Sequence, residues 1–195
     1  KSSTISPKFQ CSGTSFKVDS GDVTIEGDVD VSSGCTLNFP SSVHVTGSFE
    51  TAGTVKIPVN VEIGTELTVA SSSRFTVDGN VDVEGGTLVA GTLENGGAHM
   101  SFADTVGVTG TLQTKTGKLQ VAKPTSVSSS GQIKVATDYE AEADVHLKGS
   151  CTVTVGNAFD VVGSVTVRNS ATLDVKNKIT ISKDLAVDAK LTDQT

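Results

Sequence analysis

The sequence predicts an all-β protein: a single three-sided parallel β-solenoid of about nine coils, with 18–20 residues in each coil. The first observation is a rhythm in which two apolar residues separated by one position are followed by a gap of three, clearest at Leu37, Phe39, Val43, Val45 and Phe49. The second is that this rhythm repeats every 18 to 20 residues, and the third is that Gly, Ser and Pro cluster in the gaps. Neither a plain alternating strand nor a helix has this spacing.

Each apolar pair is typical of a short strand with one buried face, and each gap of three residues turns a corner. Three strands and three corners complete one coil. Stacked coils lie about 4.8 Å apart, as parallel strands do, so nine coils make a rod on the order of 45 Å long. Further copies of the rhythm begin at Val55, Phe75, Met100, Ile133, Val153 and Leu173, and a copy with one extra residue begins at Phe16.

The gaps between the predicted strands contain residues that are suited to corners. Pro40 and Pro58 occupy the same phase of two successive repeats, where a residue without an N–H does not interrupt a strand ladder. The rhythm falters between Val83 and Val135. We therefore expect one domain over residues 1–195, with an N-terminal segment at 1–15, an irregular Gly-rich insertion at 84–99, and a coil with a shortened third side near residues 121–135.

Composition excludes several classes of function. The net charge is −7 and the pI about 4.9, whereas duplex nucleic acid and anionic membranes are bound by basic patches. No run of 18 apolar residues is present, so no membrane span is expected. The sequence starts at Lys1 rather than Met, which a removed signal peptide or a trimmed start would both explain. We expect an extracellular or cell-surface protein.

The phased small apolar residues in GDVTIEGDVDV (21–31) and TVDGNVDVEGGTLVAGTLENGG (76–97) resemble those of parallel β-helix proteins, such as adhesin-like surface proteins and bactofilin-type polymers. The resemblance covers nearly the whole chain. It concerns architecture rather than a motif, so it implies a fold and transfers no functional residue. Bactofilins are scaffolds that polymerise end to end.

Four acidic residues are the candidates for a site. One outward row is expected to contain His44, Glu62, Asp82, Gly107, Ser126, Glu140, Asp160 and Thr180. Glu62 should stack on Asp82, and Glu140 on Asp160, and carboxylates about 5 Å apart repel each other unless a cation or proton intervenes. We therefore expect a solvated acidic face with no metal site, and these four residues are the candidates if calcium is bound. No catalytic or cofactor-binding residue is identified.

The three cysteines are Cys11, Cys35 and Cys151. Cys35 and Cys151 share one phase but lie about six coils, or roughly 29 Å, apart, too far for a bond within one rod. We expect a disulfide between Cys11 and Cys35, with Cys151 free or forming an intermolecular link. The alternative is three reduced thiols.

We expect a non-enzymatic, self-assembling structural protein, a building block of an extracellular filament, coat or surface appendage. The last repeat, TLDVKNKITISKDLAVDAKL, keeps its apolar rhythm almost to the end of the sequence. Open solenoid ends would then join copies into a filament or a closed oligomer. The alternatives are a solenoid that binds ice or carbohydrate and, third, a polysaccharide-active enzyme. Long charged residues interrupt every outward row that could bind ice.

Overall fold

The computed structural model describes residues 3–5, 8–18 and 21–188, which form three parallel sheets. The strands of sheet A are β1 (Ser3–Ile5), β4 (Val23–Ile25), β7 (Val43–Val45), β10 (Val61–Ile63), β13 (Val81–Val83), β16 (His99–Phe102), β19 (Lys118–Val121), β22 (Tyr139–Ala141), β25 (Ala158–Val161) and β28 (Lys178–Ile181). The strands of sheet B are β2 (Lys8–Cys11), β5 (Asp28–Val31), β8 (Phe49–Thr51), β11 (Leu67–Val69), β14 (Thr87–Val89), β17 (Val106–Val108), β20 (Thr125–Ser129), β23 (Val145–Gly149), β26 (Val165–Arg168) and β29 (Leu185–Asp188). The strands of sheet C are β3 (Ser15–Lys17), β6 (Thr36–Asn38), β9 (Thr54–Ile57), β12 (Arg74–Val77), β15 (Thr92–Asn95), β18 (Thr111–Thr114), β21 (Gln132–Val135), β24 (Thr152–Val155) and β27 (Thr172–Val175).

The chain visits sheets A, B and C in turn, so β1 to β27 form nine coils, and β28 and β29 begin a tenth. Paired residues are 18 to 21 positions apart, as in Leu37↔Val55 and Leu112↔Ile133. The predicted three-sided parallel solenoid of about nine coils is confirmed. No helix long and apolar enough to cross a membrane occurs in the part of the chain that the structure describes.

The core consists of columns of apolar side chains, each column supplied by one position of the coil. In sheet A a single column contains Val61, Val81, Met100, Leu119, Tyr139, Phe159 and Ile179. Of these, every residue except Ile179 is buried. Burying one such side chain stabilises the folded protein by about 1.5–3 kcal/mol. Each stacked coil buries side chains of this kind on all three of its sides.

Aromatic rings from neighbouring coils pack against each other inside the core. The rings of Tyr139 and Phe159 stack with their centroids 5.1 Å apart. Phe49 and Phe75 meet edge to face at 4.9 Å. Such aromatic pairs stabilise the fold by more than the apolar area that they bury. At both points the contact between neighbouring coils is therefore stronger than one made by small aliphatic side chains.

The corner between sheets B and C requires small residues. Its column contains Cys35, Gly53, Ser73, Gly91, Gly110, Gly131, Cys151 and Ala171. At Gly110 an added Cβ would overlap the carbonyl oxygens of Ala90 and Gly91. Each residue here lies against the backbone of the preceding coil, so bulk at the corner would separate the coils.

The structure corrects the expected insertion at 84–99. This stretch is a regular part of the solenoid, because β14 pairs with β11 and β17, and β15 pairs with β12 and β18. The apolar repeat is not recognisable in this part of the sequence, because Thr87, Asn95 and Thr114 are buried at positions where other coils have apolar side chains. The expected shortened side near 121–135 is also wrong: Val121 belongs to sheet A and Val135 to sheet C, so the two residues are not equivalent.

The N-terminal segment at 1–15 is not separate from the solenoid where the structure describes it. β1 pairs with β4, and β2 pairs with β5, in the same parallel arrangement as later coils. Residues 1, 2, 6 and 7 of this segment lie outside the described residues. The first coil therefore begins within the segment that the sequence rhythm failed to include.

Replacing Phe159 tests the core register. Phe159→Asp should destabilise the rod by several kcal/mol, because it places an unpaired carboxylate between Tyr139 and Ile179. Urea denaturation gives the loss, and hydrogen exchange should show it concentrated in β22, β25 and β28. Val162→Asp is the matched control, because Val162 is 57% exposed at a corner and should change stability little. If the Phe159→Asp variant had the same free energy of unfolding as the native protein, the register would be contradicted.

Candidate functional site

The predicted acidic row lies on the outward face of sheet A. Pairing places Glu62 beside Asp82 and Glu140 beside Asp160, which confirms both predicted neighbours. Among the described residues the row is Thr4, Thr24, His44, Glu62, Asp82, Ser101, Gln120, Glu140, Asp160 and Thr180. Gly107 and Ser126, which were expected in it, lie in sheet B instead. The error follows from the rhythm lost between Val83 and Val135.

Histidines from adjacent coils contact the first acidic pair. His44 Nδ1 lies 3.0 Å from Glu62 Oε2. His99 Nε2 lies 3.1 Å from Asp82 Oδ1. His44 precedes Glu62 by one coil, and His99 follows Asp82 by one coil. The two carboxylates are therefore drawn toward opposite ends of the rod, away from each other.

Lysines contact the second acidic pair in the same way. Lys118 Nζ lies 3.1 Å from Glu140 Oε2, and Gln120 Nε2 donates a hydrogen bond of 2.6 Å to the same oxygen. Lys178 Nζ lies 3.8 Å from Asp160 Oδ1. Again one acid is paired toward the N-terminal end of the rod and the other toward the C-terminal end.

The lysine contacts place positive charge beside Glu140 and Asp160, and the histidine contacts give Glu62 and Asp82 hydrogen-bonding partners. A shallow depression beside Glu140 and Asp160 is lined by further polar residues, including Gln120, Thr180 and Ser182. Over residues 3–5, 8–18 and 21–188, no group of three or more His, Cys, Asp or Glu side chains is arranged to hold a metal ion. The row consists of ion pairs between neighbouring coils, each of which contributes modestly at an exposed surface.

A further acidic residue, which sequence reasoning missed, lies on sheet C. Glu94 is nearly buried between Arg74 and Lys115. Arg74 Nη2 donates a hydrogen bond of 2.7 Å to Glu94 Oε2, and the Lys115 ammonium group contacts Oε1. A hydrogen bond from Lys115, aided by the Arg74 charge, lowers the pKa of Glu94, although burial acts in the opposite direction. Only the correct register brings these three residues together, because they come from three different coils.

Some buried polar side chains form local hydrogen bonds. The Tyr139 hydroxyl donates to Thr125 Oγ1 at 2.7 Å, and burial strongly raises the pKa of Tyr139. Thr114 Oγ1 donates to the Gly117 carbonyl at 2.7 Å and accepts from the Ala136 amide at 3.0 Å, so it satisfies two backbone groups at its corner. Thr87 Oγ1 and Asn95 Oδ1 are buried without a hydrogen-bond partner among the described residues.

The structure contains the predicted disulfide between Cys11 and Cys35 and leaves Cys151 as a free thiol. Cys11 and Cys35 form a disulfide, with Cα atoms 6.2 Å apart, that joins the first two coils. Closing a loop with a sequence separation of 24 typically stabilises by about 3 kcal/mol. Cys151 is a free thiol, but it is buried in the small-residue corner, and burial raises its pKa. An intermolecular link through Cys151 is therefore wrong for the folded rod.

Comparisons of the chain with protein-family models, curated proteins and solved structures find no match.

Thiol labelling tests the cysteine arrangement. Iodoacetamide should leave the folded, non-reduced protein unmodified, because the only free thiol is buried and its raised pKa reduces the thiolate fraction. In denaturant without reductant it should modify Cys151 alone, as peptide mass spectrometry would show. Reduction before denaturation is the control and should expose all three thiols. A disulfide containing Cys151 in the folded protein would contradict the arrangement.

Acid titration tests the Glu94 contacts. The pKa of Glu94 is lower in the folded protein than its ordinary value of 4.5, so the unfolded state binds more protons between the two values. The stability from Glu94 is therefore complete above about pH 4.5 and is lost as pH falls through the folded value. Glu94→Gln should lower the free energy of unfolding at pH 7 by about 1–2 kcal/mol, with a smaller deficit at pH 3.

The matched control for Glu94→Gln is Glu62→Gln. The Glu62 side chain is well exposed and, among the described residues, pairs only with His44, so this substitution should change the free energy of unfolding at pH 7 by less than about 1 kcal/mol. Urea denaturation of both variants across the pH range gives the comparison. A deficit for Glu94→Gln that stays constant from pH 7 to pH 3 would contradict the role of the Glu94 charge.

Proposed function

We propose that this protein is a non-enzymatic structural building block that assembles by stacking solenoid ends, as part of an extracellular filament, coat or surface appendage. The observation that carries the proposal is the apolar surface at both ends of the described rod. At both ends, apolar side chains are exposed to solvent at positions whose equivalents in the remaining coils are buried. A surface of that kind favours burial against another molecule.

The C-terminal end exposes the interior of the tenth coil. Ile179 is 53% exposed and Leu185 55% exposed, whereas Phe159 and Val165, their counterparts one coil earlier, are fully buried. The other inward residues of this end are only partly buried: Leu173, Val175, Ile181 and Val187. Together they form a triangular apolar cross-section among the described residues, which end at Asp188.

The N-terminal end has a similar, smaller apolar surface. Phe16 is 43% exposed and packs against Phe9, with ring centroids 5.1 Å apart. Ile5 and Val18 are half-buried beside them. In the described residues β1, β2 and β3 each pair on one side only. Their outer edges offer N–H and C=O groups that a further parallel strand would satisfy.

The two ends are compatible in shape. Both have the same three-sided outline, and strands run in the same direction in every coil. The C-terminal end of one rod could therefore continue sheets A and B into the N-terminal end of the next rod at the ordinary strand spacing of about 4.8 Å, with one strand position left open in sheet C, which has nine described strands rather than ten. Such a head-to-tail contact does not close on itself, so it generates a filament.

Other features favour a structural role over the alternatives. Each of the four acids in the row contacts a His or Lys side chain of an adjacent coil, as expected of side chains that hold coils together. An ice-binding face would need a continuous row of small residues, and the threonine row of sheet C is interrupted by Arg74 and Gln132. A disulfide between Cys11 and Cys35 favours an oxidising compartment outside the cytosol.

Blocking the C-terminal end should prevent assembly. Native protein at rising concentration, under oxidising conditions, should form particles longer than one rod, seen by electron microscopy and as a growing maximum dimension in small-angle X-ray scattering. Ile179→Lys combined with Leu185→Lys should keep the particle at one rod length, because charges replace the exposed apolar side chains. Val162→Lys is the control, since Val162 is equally exposed but lies on the side of the rod; it should assemble normally.

Two results would overturn the proposal. One is native protein that keeps the length of one rod up to millimolar concentration while its circular dichroism shows the folded sheet. The other is a doubly substituted protein that elongates as readily as the native chain. In either case the binding-module alternative would replace the structural one.

A further inference from the structure

One corner position, immediately before the first inward residue of each sheet B strand, connects successive coils. Aspartates occupy it at Asp28, Asp144 and Asp184. Asp28 Oδ1 accepts a 2.9 Å hydrogen bond from the Ser48 amide, and Asp144 Oδ1 accepts one of 2.7 Å from the Ser164 amide. Ser48 and Ser164 have the same position one coil later. Each of these two carboxylates therefore binds the coil that follows it.

The equivalent position in sheet A forms the same contact. Asn60 Oδ1 accepts a 2.9 Å hydrogen bond from the Asn80 amide, and Asp138 Oδ1 accepts one of 3.1 Å from the Ala158 amide. Each donor again lies one coil later at the equivalent position. In both sheets these side chains bond in the C-terminal direction of the rod, toward the next coil to be added.

Asp184 has this position in the last described coil. The described residues end at Asp188, so among them no following coil supplies an amide to Asp184. At the other end of the rod, Lys8 has the same position in the first coil, because Lys8 pairs with Asp28. Both Asp184 and Lys8 are exposed. One column of sheet B therefore begins with an ammonium group and ends with a carboxylate.

We propose that Asp184 of one copy and Lys8 of the next fix the rotation of the end-to-end contact, so that sheet A continues sheet A and sheet B continues sheet B. This inference rests on the proposed stacking of solenoid ends. Asp184 then lies one coil, about 4.8 Å, below Lys8. Its carboxylate accepts the Lys8 amide, as Asp28 accepts that of Ser48, and lies next to the Lys8 ammonium group. Lys8 Nζ is already 3.8 Å from Asp30 Oδ2, but its side chain is 54% exposed and an ammonium group has three donors.

Charge distinguishes this rotation from the other two that a three-sided outline allows. Every rotation offers Asp184 a backbone amide, so the hydrogen bond alone does not select one. Turning the next copy by one side places Lys8 beside Lys178, and turning it the other way places Lys8 beside Thr172, with Asp174 on the diagonal. The first of these would fill the open strand position in sheet C, but it brings two like charges together, and such contacts exclude wrong partners. Only the unrotated contact places a carboxylate directly beside Lys8.

Charge reversal tests the contact. Sedimentation equilibrium of the full chain gives the association constant of one rod for the next, from the growth of the average mass with concentration. Asp184→Lys should lower this constant at least about tenfold, because two ammonium groups then lie side by side. Lys8→Asp should lower it similarly, because two carboxylates meet. Lys8→Gln adds no carboxylate near Asp28 and Asp30 and should lower it about threefold. Circular dichroism should show that all three variants fold, since both side chains are exposed.

Mixing the two reversed chains should restore the contact. In an equal mixture of the Asp184→Lys and Lys8→Asp chains, every junction between unlike chains again places opposite charges side by side. The association constant should therefore return to within about threefold of the native value. Asp174→Lys is the control, because it makes the same charge change on an exposed side chain at the same end of the rod. It should alter the constant by less than about threefold.

The outcomes separate this inference from the proposed function. A native chain that keeps the length of one rod would overturn both. If the native chain elongates, but neither reversal weakens association or mixing fails to restore it, the rotation alone is wrong. Stronger association of the Lys8→Asp chain would identify the rotation in which Lys8 meets Lys178. A loss of about tenfold with Asp174→Lys would identify the rotation in which Lys8 meets Thr172. Either result would overturn the contact between Asp184 and Lys8.

Discussion

The parallel, in-register pairing of successive coils is the constraint on which every other feature of this protein depends. Because residues 18 to 21 positions apart pair in register, as Leu37 does with Val55, each position of the coil becomes a column along the rod. A column must consist of small residues where space is limited, as at the corner where Gly110 lies against the carbonyl groups of Ala90 and Gly91. It can vary freely on the outside. The core, the corners and the surface charge pattern all follow from this one repeat.

Surface charge in such a rod is organised between coils rather than within them. His44 with Glu62, and Lys118 with Glu140, are neighbours only because their strands pair. Arg74, Glu94 and Lys115 connect three successive coils on sheet C in the same way. Such contacts reinforce the vertical stacking that hydrogen bonds and apolar burial already provide. They also show why a row of acids in a solenoid is weak evidence for a metal site until the adjacent coils are known.

The sequence predicted the fold because the apolar columns have a short, regular period, and Val, Leu, Ile and Phe mark them at most positions. It predicted the neighbours Glu62 and Asp82, and Glu140 and Asp160, for the same reason. The prediction failed where buried positions are polar, at Thr87, Asn95 and Thr114. A hydroxyl that bonds to a corner carbonyl is indistinguishable, in a sequence, from one exposed to solvent. One shifted coil was then enough to hide the Glu94 contacts and to misplace Gly107.

The Cys11–Cys35 disulfide makes the rod mechanically asymmetric. It ties β2 to the corner before β6, so the first two coils cannot separate, whereas the final coils are held by noncovalent contacts alone among the described residues. A pulling force along the axis would therefore peel strands away one coil at a time from the end at β29. A protease that needs an unravelled segment would enter at the same end. The chain thus has a fixed direction of unzipping, set by a single covalent bond at the opposite end.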